Sequence, residues 1–359
     1  MIVVIAGIAG TIYLTSAIGR FGLIRKAAEG KKWLSRLIAL GLLLVGFALF
    51  SWGLSVLDAT VILLHVLFFF LIFGFILWFV RKLTGKQCKI YLQGWLALLT
   101  AAVYLAVGYY QCVHVWKTEY ALTSDKSVGE LRIALLADSH VGTTFDGEGF
   151  AAYLDEIMRG KPDLILIPGD FVDDGTTRKD MLTACAALGR VDPPNGVWFA
   201  YGNHDKGYFN GRDFSADELA QTLEENHVHI LEDEVTLIGD LCIVGRADAS
   251  SGLRAELAEL LIGVDPGKYI IVLDHEPTDY EKEAATAADL VVSGHTHGGQ
   301  LIPLGWVGET FGGNDRTYGY ENRNGTDFIV TSGISDWALH FKTGTKSEYV
   351  IITLNGNSK

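Results

Sequence analysis

Four apolar stretches in the first 112 residues constrain this chain more than any other feature of its sequence. The stretches cover residues 2–19, 34–57, 59–80 and 90–111. Each is close to the roughly 20 residues that cross the hydrocarbon core of a bilayer as a helix. One such stretch also fits a buried helix of a soluble protein, but four in succession favour the membrane. We therefore predict a domain of four transmembrane helices over residues 1–112.

The first stretch, MIVVIAGIAGTIYLTSAIG, has a second interpretation as a cleaved signal sequence. A signal peptide begins with a positively charged segment, and this stretch has no basic residue before its apolar run. We therefore favour an uncleaved helix.

Basic residues between the apolar stretches predict how the chain is oriented. Residues 20–36 contain six Lys or Arg side chains and residues 81–89 contain four, whereas the connection between the second and third stretches offers only Asp58. Cytoplasmic loops are enriched in Lys and Arg, so both basic segments are expected in the cytoplasm. A four-span integral membrane protein would then hold both chain ends outside the cytoplasm. Losing one span from this count would reverse that prediction.

The rest of the chain is strongly acidic. Residues 1–120 carry 11 basic and 3 acidic side chains, a net charge of +8, which leaves 18 basic and 39 acidic side chains and a net charge of −21 for residues 121–359. A domain this acidic repels phosphate backbones at long range, which excludes long nucleic acids as partners. A single phosphate group remains possible at a site that carries metal charge.

Cysteines give little information about the compartment. A disulfide between Cys185 and Cys242 is permitted if the acidic part lies outside the cytoplasm. Single buried thiols are favoured, because both residues lie in apolar sequence.

Short apolar runs alternate with helical patterns from Glu130 onward. The runs that predict strands are LRIALLAD, DLILIPGD, GVWFAYGN, EVTLIG, LCIVGR, YIIVLDH, DLVVSG, DFIVTSG and EYVIITL. Continuous apolar strands, rather than alternating ones, indicate sheets that are covered on both faces. We predict a layered α/β domain over residues 130–359, joined to the membrane domain by a linker at residues 113–129.

Polar residues of metal-binding types follow the ends of five predicted strands. They are Asp138 and His140, Asp170 and Asp173, Asn203 to Asp205, His275, and the pair His295 and His297. Strand ends are where polar groups converge on a site in layered α/β domains. Five of the ten histidines lie at these positions. The sequence therefore predicts one polar site, in which Asp205 has a structural role.

Imidazole, carboxylate and carboxamide groups together suit divalent ions such as Mn, Fe or Zn. Six or seven ligands exceed what one tetrahedral ion needs, so two ions are predicted. One carboxylate can bridge two ions roughly 3.5–4 Å apart, the spacing found in two-metal phosphate-ester hydrolases. Such ions polarise phosphoryl oxygens and lower the pKa of water for in-line attack.

The motifs Asp-x-His, Gly-Asp-x-x-Asp, Gly-Asn-His-Asp, His and Gly-His-x-His occur in this order between about residues 130 and 352. This series resembles the calcineurin-like metallophosphoesterase superfamily. The segments HEP, GGQ and TSGISDW are most similar to its bacterial membrane-anchored branch, which includes transmembrane proteins with a metallophosphoesterase domain. The resemblance implies a four-layer α-β-β-α sandwich.

The resemblance also implies a role for each site residue. The matched metal ligands are Asp138, His140 and His297 for one ion, Asn203, His275 and His295 for the other, and Asp170 as the bridge. His204 matches the family's histidine that donates a proton to the leaving oxygen or steadies the phosphate. A proton donor needs a partner that fixes its ring, and Asp173 fits that role.

We accordingly predict a membrane-anchored, metal-dependent phosphohydrolase that cleaves phosphate ester or pyrophosphate bonds. Four spans exceed what a tether needs, which favours a lipid-linked or membrane-proximal substrate and membrane lipids as partners. Two alternatives are a non-catalytic membrane sensor or scaffold and a small-nucleotide phosphodiesterase. The intact ligand positions count against the sensor, since such proteins usually lose ligands.

Two aromatic residues, Trp306 and Phe311, lie in a loop after the last histidine motif. They either line a substrate entrance or pack within the loop, and packing is slightly favoured.

Overall fold

The structure is a computed structural model that describes residues 2–86, 90–208, 211–252 and 254–357. The chain divides into two compact units, Met1–Tyr109 and Tyr110–Lys359.

Helices make up the described part of the first unit. They are α1 (Ile2–Ile18), α2 (Gly22–Ala27), α3 (Lys32–Gly53), α4 (Val56–Thr84) and α5 (Leu92–Val113), the last of which ends beyond the unit boundary. The short helix α2 lies in the basic segment and was not predicted from the sequence.

Three of these helices, α3, α4 and α5, are long and apolar enough to cross a membrane, as judged over the described residues. The first helix, α1, has 17 residues and is shorter than each of these three. A helix rises 1.5 Å per residue, so α1 falls short of the roughly 20 residues of a full span. The structure therefore gives three clear candidate spans where the sequence predicted four.

The first helix nevertheless packs against α4 and α5. Leu14 and Ala17 share a buried cluster with Phe70 and Ala97. The Tyr13 hydroxyl donates to the Phe70 carbonyl at 3.2 Å. Polar groups within a bilayer must find partners in the protein, and such side-chain hydrogen bonds help to associate helices.

The described part of the second unit contains two sheets of six strands each. The first sheet comprises, in spatial order, β1 (Trp116–Thr123), β12 (Glu348–Asn355), β2 (Glu130–Leu135), β3 (Leu164–Pro168), β4 (Val197–Ala200) and β5 (Val228–Leu231). The second comprises β10 (Gly319–Arg323), β11 (Thr326–Val330), β9 (Leu290–Ser293), β8 (Tyr269–Leu273), β7 (Leu241–Gly245) and β6 (Glu234–Ile238).

Helices connect many of these strands. They are α6 (Gly147–Arg159), α7 (Arg178–Leu188), α8 (Ala216–Glu225), α9 (Leu257–Leu260), α10 (Tyr280–Glu283) and α11 (Leu304–Thr310).

A run of parallel pairs lies in the middle of each sheet. In the first sheet, β2, β3, β4 and β5 are parallel neighbours. In the second, the parallel neighbours are β7, β8, β9 and β11. Parallel strands end at the same edge of a sheet, so the loops that follow them meet there.

Apolar side chains cover both faces of the central strands. Along β2, Ile133 and Leu135 pack in a cluster that also contains Ile271 and Val292 of the second sheet. The intervening Ala134 belongs to a different cluster, which includes residues of α6, α7 and α8. A third cluster joins strands of the second sheet to residues of α9 and α10. This double coverage explains why these strands read as continuous apolar runs.

The nine predicted strands are all present, but β1, β5 and β10 were not predicted. The interval 113–129, which we expected to be a linker, contains β1, and this strand pairs in parallel with β12 from Trp116 opposite Glu348 to Thr123 opposite Asn355. Its sequence, WKTEYALT, alternates between part-buried and exposed residues. A search for continuous apolar runs finds central strands and overlooks edge strands of this kind.

Cys185 and Cys242 are both buried free thiols. They lie in different hydrophobic clusters, since Cys185 is on α7 and Cys242 is on β7. The preferred interpretation of two separate buried thiols is confirmed.

Candidate metal centre

The structure places the predicted ligands in loops that follow strands of both sheets. Four of them follow strands of the first sheet, namely Asp138 and His140 after β2, Asp170 after β3 and Asn203 after β4. The other three follow strands of the second sheet, namely His275 after β8, and His295 and His297 after β9. Among the described residues, they supply both groups of histidine and carboxylate side chains that could hold a metal ion.

The first group consists of Asp138, His140 and His297, all buried. Each offers a ligand atom, and these atoms lie within 4.8 Å of one another. His297 Nε2 is 3.7 Å from Asp138 Oδ1.

The second group consists of Asp170, His275 and His295, again with ligand atoms within 4.8 Å of one another. Asn203, which the sequence placed with this set, points its carboxamide oxygen at both histidines. Its Oδ1 lies 3.1 Å from His275 Nε2 and 3.0 Å from His295 Nδ1. The Asn203 amide nitrogen donates to the Tyr208 hydroxyl at 2.8 Å, which fixes the direction of the oxygen.

Asp170 faces both groups. Its Oδ2 lies 3.1 Å from His275 Nε2 in the second group and 3.6 Å from His140 Nε2 in the first. Its other oxygen accepts a hydrogen bond from the backbone N–H of His204 at 2.8 Å. One carboxylate is therefore placed between two sets of ligands.

Several of these atoms present lone pairs to each other. His275 Nδ1 is 2.8 Å from the Pro168 carbonyl oxygen, so Nδ1 carries a proton, and in the neutral ring that binds a metal Nε2 holds the lone pair. That lone pair faces oxygens of Asp170 and Asn203, which are also acceptors. Acceptors that converge in a buried place repel each other unless a cation lies between them.

Two further atoms fit a cation site. Within the described part of the chain, Asp138 Oδ2 and His140 Nε2 are buried without a hydrogen-bond partner. Buried polar atoms in native proteins are nearly always paired, so such atoms call for a ligand. The residues present therefore fit a bound metal.

The backbone at the site is held in an unusual conformation. Five candidate ligands have positive φ, namely Asp138 at 52°, His140 at 34°, Asp170 at 53°, His295 at 69° and His297 at 49°. Residues other than glycine rarely adopt this region, and strain of this kind clusters at functional sites.

Glycines beside the ligands allow close packing. A Cβ atom on Gly294 would lie 2.3 Å from Asp138 Oδ2, and one on Gly299 would lie 2.4 Å from the Gly305 Cα. For Gly299, the close neighbour is the backbone of α11.

Asp205 holds the loop that carries Asp170. Its Oδ1 accepts hydrogen bonds from the backbone N–H groups of Phe171 at 2.8 Å and Val172 at 3.1 Å. Its Oδ2 accepts from Asp170 at 2.8 Å and Gly202 at 2.7 Å. This buried carboxylate belongs to neither ligand group, in agreement with the predicted structural role.

Asp173 contacts a different histidine from the one we predicted. We expected it to fix the ring of His204, but its Oδ2 lies 3.4 Å from His140 Nδ1. Its Oδ1 accepts from the backbone of Gly175 at 2.7 Å and Thr176 at 3.1 Å, which turns the other oxygen toward His140. Burial lowers the pKa of His140, but the Asp173 carboxylate, as acceptor to the ring, and the charge of Asp170 outweigh it and raise the pKa.

Asp336 makes the equivalent contact to His297, and the sequence analysis missed it. Its Oδ1 lies 3.1 Å from His297 Nδ1, and the side chain is fully buried. The residue follows β11, in the segment TSGISDW, so the strand-end rule that found the ligands applies to it as well.

His295 is suited to bind a metal in its neutral form. Burial and the neighbouring His275 imidazole lower the pKa of His295 to about 4. Ligating imidazole must be unprotonated, so this ring is ready to bind a metal at neutral pH.

His204 lies beside the ligand groups without belonging to either of them. Its ring centre is 5.1 Å from that of His140, 5.0 Å from Tyr208 and 5.2 Å from Trp337. Its Nδ1 has no hydrogen-bond partner within the described residues. Burial lowers the pKa of His204.

A cleft of about 650 Å³ opens onto this arrangement. Ligand residues Asp170, Asn203, His295 and His297 line it, together with His204. Tyr208 and Trp337, two exposed aromatic residues that the sequence analysis did not single out, also line it. Its volume lies in the range of small-molecule sites, roughly 300–1,000 Å³.

Residues 131–299 match the family model of the calcineurin-like phosphoesterases. A metallophosphoesterase of Aquifex aeolicus is 30% identical over 238 residues, which cover 63% of this chain and 86% of that protein. A metallophosphoesterase of Campylobacter jejuni is 28% identical over 290 residues, which cover 77% of this chain and 75% of that protein.

A zebrafish (Danio rerio) protein, described as a transmembrane protein with metallophosphoesterase domain, is 29% identical over 243 residues. The match covers 64% of this chain and 54% of that protein. Together with the match to the family model, these relatives identify the chain as a member of the calcineurin-like phosphoesterase family, a hydrolase that acts on phosphoric ester bonds.

Proposed function

We propose that the protein is a membrane-anchored phosphohydrolase that uses two divalent ions to cleave phosphate ester or pyrophosphate bonds. The observation that carries this proposal is the convergence of seven potential ligands, contributed by five strand ends, on two adjoining groups that share Asp170. The ion types that suit these ligands are Mn, Fe and Zn.

In this proposal, Asp138, His140 and His297 hold one ion. The other is held by Asn203, His275 and His295, and Asp170 serves both. Ions bound at such sites polarise phosphoryl oxygens and make water a stronger nucleophile.

His204 provides a proton to the leaving oxygen or steadies the phosphate. Its ring lines the cleft beside His140, and its Nδ1 lacks a partner among the described residues. A general acid must lie within hydrogen-bond reach of the atom that it protonates, and the position of His204 in the cleft lining supports this role. Asp173 and Asp336 act indirectly, because each fixes the ring of a ligand histidine.

Replacement of Asp336 by asparagine is expected to weaken metal binding by about 10–100-fold, the usual cost of removing a partner of a ligating histidine. Titration of the metal-free protein with Mn²⁺ measures this loss, and thermal unfolding of the metal-free form checks that the fold is intact. The exposed Asp192→Asn variant is the matched control. Unchanged Mn²⁺ affinity in Asp336→Asn would remove Asp336 from this role.

We further propose a four-layer α-β-β-α arrangement for residues 130–359. Strand β1 adds to this arrangement at one edge of the first sheet. One buried cluster contains residues of both sheets, and each of the other two joins one sheet to helices, which supports this arrangement.

A fourth membrane helix is proposed for α1. Its contacts with α4 and α5 support this, because Gln93 on α5 donates to the Tyr13 hydroxyl at 3.0 Å and to the Phe70 carbonyl at 2.9 Å. Side-chain hydrogen bonds of this type associate helices within a bilayer. We therefore expect α1 to lie in the membrane with α4 and α5.

The catalytic unit is proposed to lie outside the cytoplasm. Basic residues precede α5, and the positive-inside rule places them in the cytoplasm, so α5 leads outward. This inference depends on α5 and on the segment before it, so loss of the α1 span would not reverse it, in contrast to what the count of spans alone predicted. An outward-facing enzyme with several membrane helices is suited to a lipid-linked or membrane-proximal substrate.

The test of the proposal is hydrolysis of bis-p-nitrophenyl phosphate and p-nitrophenyl phosphate by the purified full-length protein. With Mn²⁺ present, we expect turnover, and removal of metal by a chelator should lower the rate by at least about 100-fold, since the ions supply several kcal/mol of transition-state stabilisation. Readdition of Mn²⁺ should restore the rate. Tight Mn²⁺ binding without turnover of either dye or of a lipid phosphate would contradict the enzymatic role and favour a sensor.

A further inference from the structure

Three cavities follow one another from the metal centre toward α11. The cleft at the ligands and a second cavity of about 220 Å³ are both lined by His295 and His297. A third cavity of about 270 Å³ shares Gly299, Gly305 and Thr317 with the second. Neighbouring cavities in this series share lining residues, and we call the series the trough.

The far end of the trough is apolar. Leu301, Ile302, Pro303 and Trp306 line the third cavity. Surfaces of this kind bind hydrocarbon, because each buried methylene group contributes about 0.8 kcal/mol.

The polar groups that line this cavity are already paired. The Glu309 carboxylate accepts from the backbone N–H of Thr317 at 2.7 Å, and the Thr317 hydroxyl donates to the Gly305 carbonyl at 3.0 Å. The Tyr318 hydroxyl donates to Glu348 at 2.9 Å. More than half of the surface of this cavity is apolar.

The segment around the cavity exposes many large apolar side chains. Trp306 is 72% exposed and Phe311 is 82% exposed, so neither packs within its loop as we had favoured. Ile302, Leu304 and Val307 are exposed as well. Contiguous exposed apolar side chains on a soluble domain indicate a binding surface.

This segment is attached directly to the loop that carries His297. Gly299, two residues after His297, lies so close to Gly305 of α11 that a Cβ atom would not fit between them. The apolar cavity therefore keeps a fixed position relative to the ligands.

We propose that the third cavity binds the acyl or alkyl chain of the substrate whose phosphate is held at the metal centre. This inference rests on the proposed function and names its substrate class, an amphipathic phosphate or pyrophosphate with a hydrocarbon chain. The shared lining favours a substrate chain over a bilayer as the occupant, because the third cavity adjoins the second, which His295 and His297 line.

Equilibrium binding of alkyl phosphates to the Mn²⁺-loaded, full-length protein tests the proposal by calorimetry. Inorganic phosphate, ethyl phosphate and hexyl phosphate are the probes, short enough to remain dissolved. We expect hexyl phosphate to bind at least about tenfold more tightly than ethyl phosphate, since four added methylenes enter the cavity.

Two variants test whether the gain in affinity from ethyl to hexyl phosphate arises in the third cavity. Trp306→Ala removes a wall of the cavity, and Ile302→Asp places a charge in it; both should reduce the hexyl-to-ethyl affinity ratio to about threefold or less. Both side chains are exposed, so the fold does not depend on them. Phe311→Ala is the matched control, because Phe311 is equally exposed but does not line the cavity, and it should keep the full ratio.

The outcomes separate this inference from the proposed function. Absence of phosphate binding in the presence of Mn²⁺ would contradict the proposed function itself. Phosphate binding without any gain from chain length would overturn the cavity alone. Equal loss in Trp306→Ala and Phe311→Ala would also overturn it, since the whole segment would then contact detergent or bilayer.

Discussion

Asp170→Asn is expected to abolish hydrolysis, with kcat/KM for bis-p-nitrophenyl phosphate lowered by about 10³-fold or more. The Asp170 carboxylate is the group that faces both sets of ligands, at 3.1 Å from His275 Nε2 and 3.6 Å from His140 Nε2. The amide keeps the shape but removes the negative charge that two cations would share. A loss of about 4 kcal/mol in transition-state stabilisation corresponds to this factor, since each 1.36 kcal/mol is tenfold.

Metal content should fall together with activity in this variant. We expect elemental analysis to find about two ions per chain in the parent protein and about one or fewer in Asp170→Asn, because two-metal sites depend on their shared ligand. Asp155→Asn, an exposed change on α6, should retain metal and rate. Full turnover by Asp170→Asn with both ions in place would exclude the bridging role.

His204→Asn is expected to lower kcat by about 10²–10⁴-fold for substrates with a poor leaving group, the usual contribution of a general acid. With p-nitrophenyl esters the loss should be smaller, because that leaving group departs without protonation. The ring lies in the cleft but outside both ligand groups, so bound Mn²⁺ should be unchanged.

A series of aryl phosphates of increasing leaving-group pKa measures this dependence. The slope of log kcat against that pKa should steepen in His204→Asn, whereas a residue that only supports the fold would lower all rates by one factor. A uniform loss across the series would therefore assign His204 to holding the phosphate. His229→Asn, which removes an exposed imidazole from β5, should leave the slope as in the parent protein.

The position of the site could be predicted from the sequence because all seven ligands follow central strands. Central strands are apolar runs, and the first polar residues after them mark the sheet edge, as at Asp138 after β2 and His295 after β9. Strand β1 lacks this signal, because its alternating pattern reflects an edge position that only pairing with β12 reveals.

The partners of the ligands could not be predicted in the same way. Asp173 is near His140 and His204 in the fold, and its sequence position favours neither of them. The contact to His140 depends on how the backbone of Gly175 and Thr176 turns the carboxylate. Asp336 is still more remote, since 39 residues separate it from His297. Contacts of this kind require the folded backbone.

The bounds of the first helix could be predicted from the sequence, but its contacts could not. The predicted stretch 2–19 agrees with the helix Ile2–Ile18 to within one residue. Its contacts through Tyr13 are long-range, and a hydropathy pattern contains no information about them.

The division of ligands between the two sheets has a consequence for the stability of the domain. Asp138, His140, Asp170 and Asn203 belong to one sheet, and His275, His295 and His297 to the other. An ion bound in either group would link chain segments more than 90 residues apart, as between His140 and His297. Because these ligands come together only in the folded chain, the ion would bind the folded state alone, and resistance to unfolding would rise with metal supply.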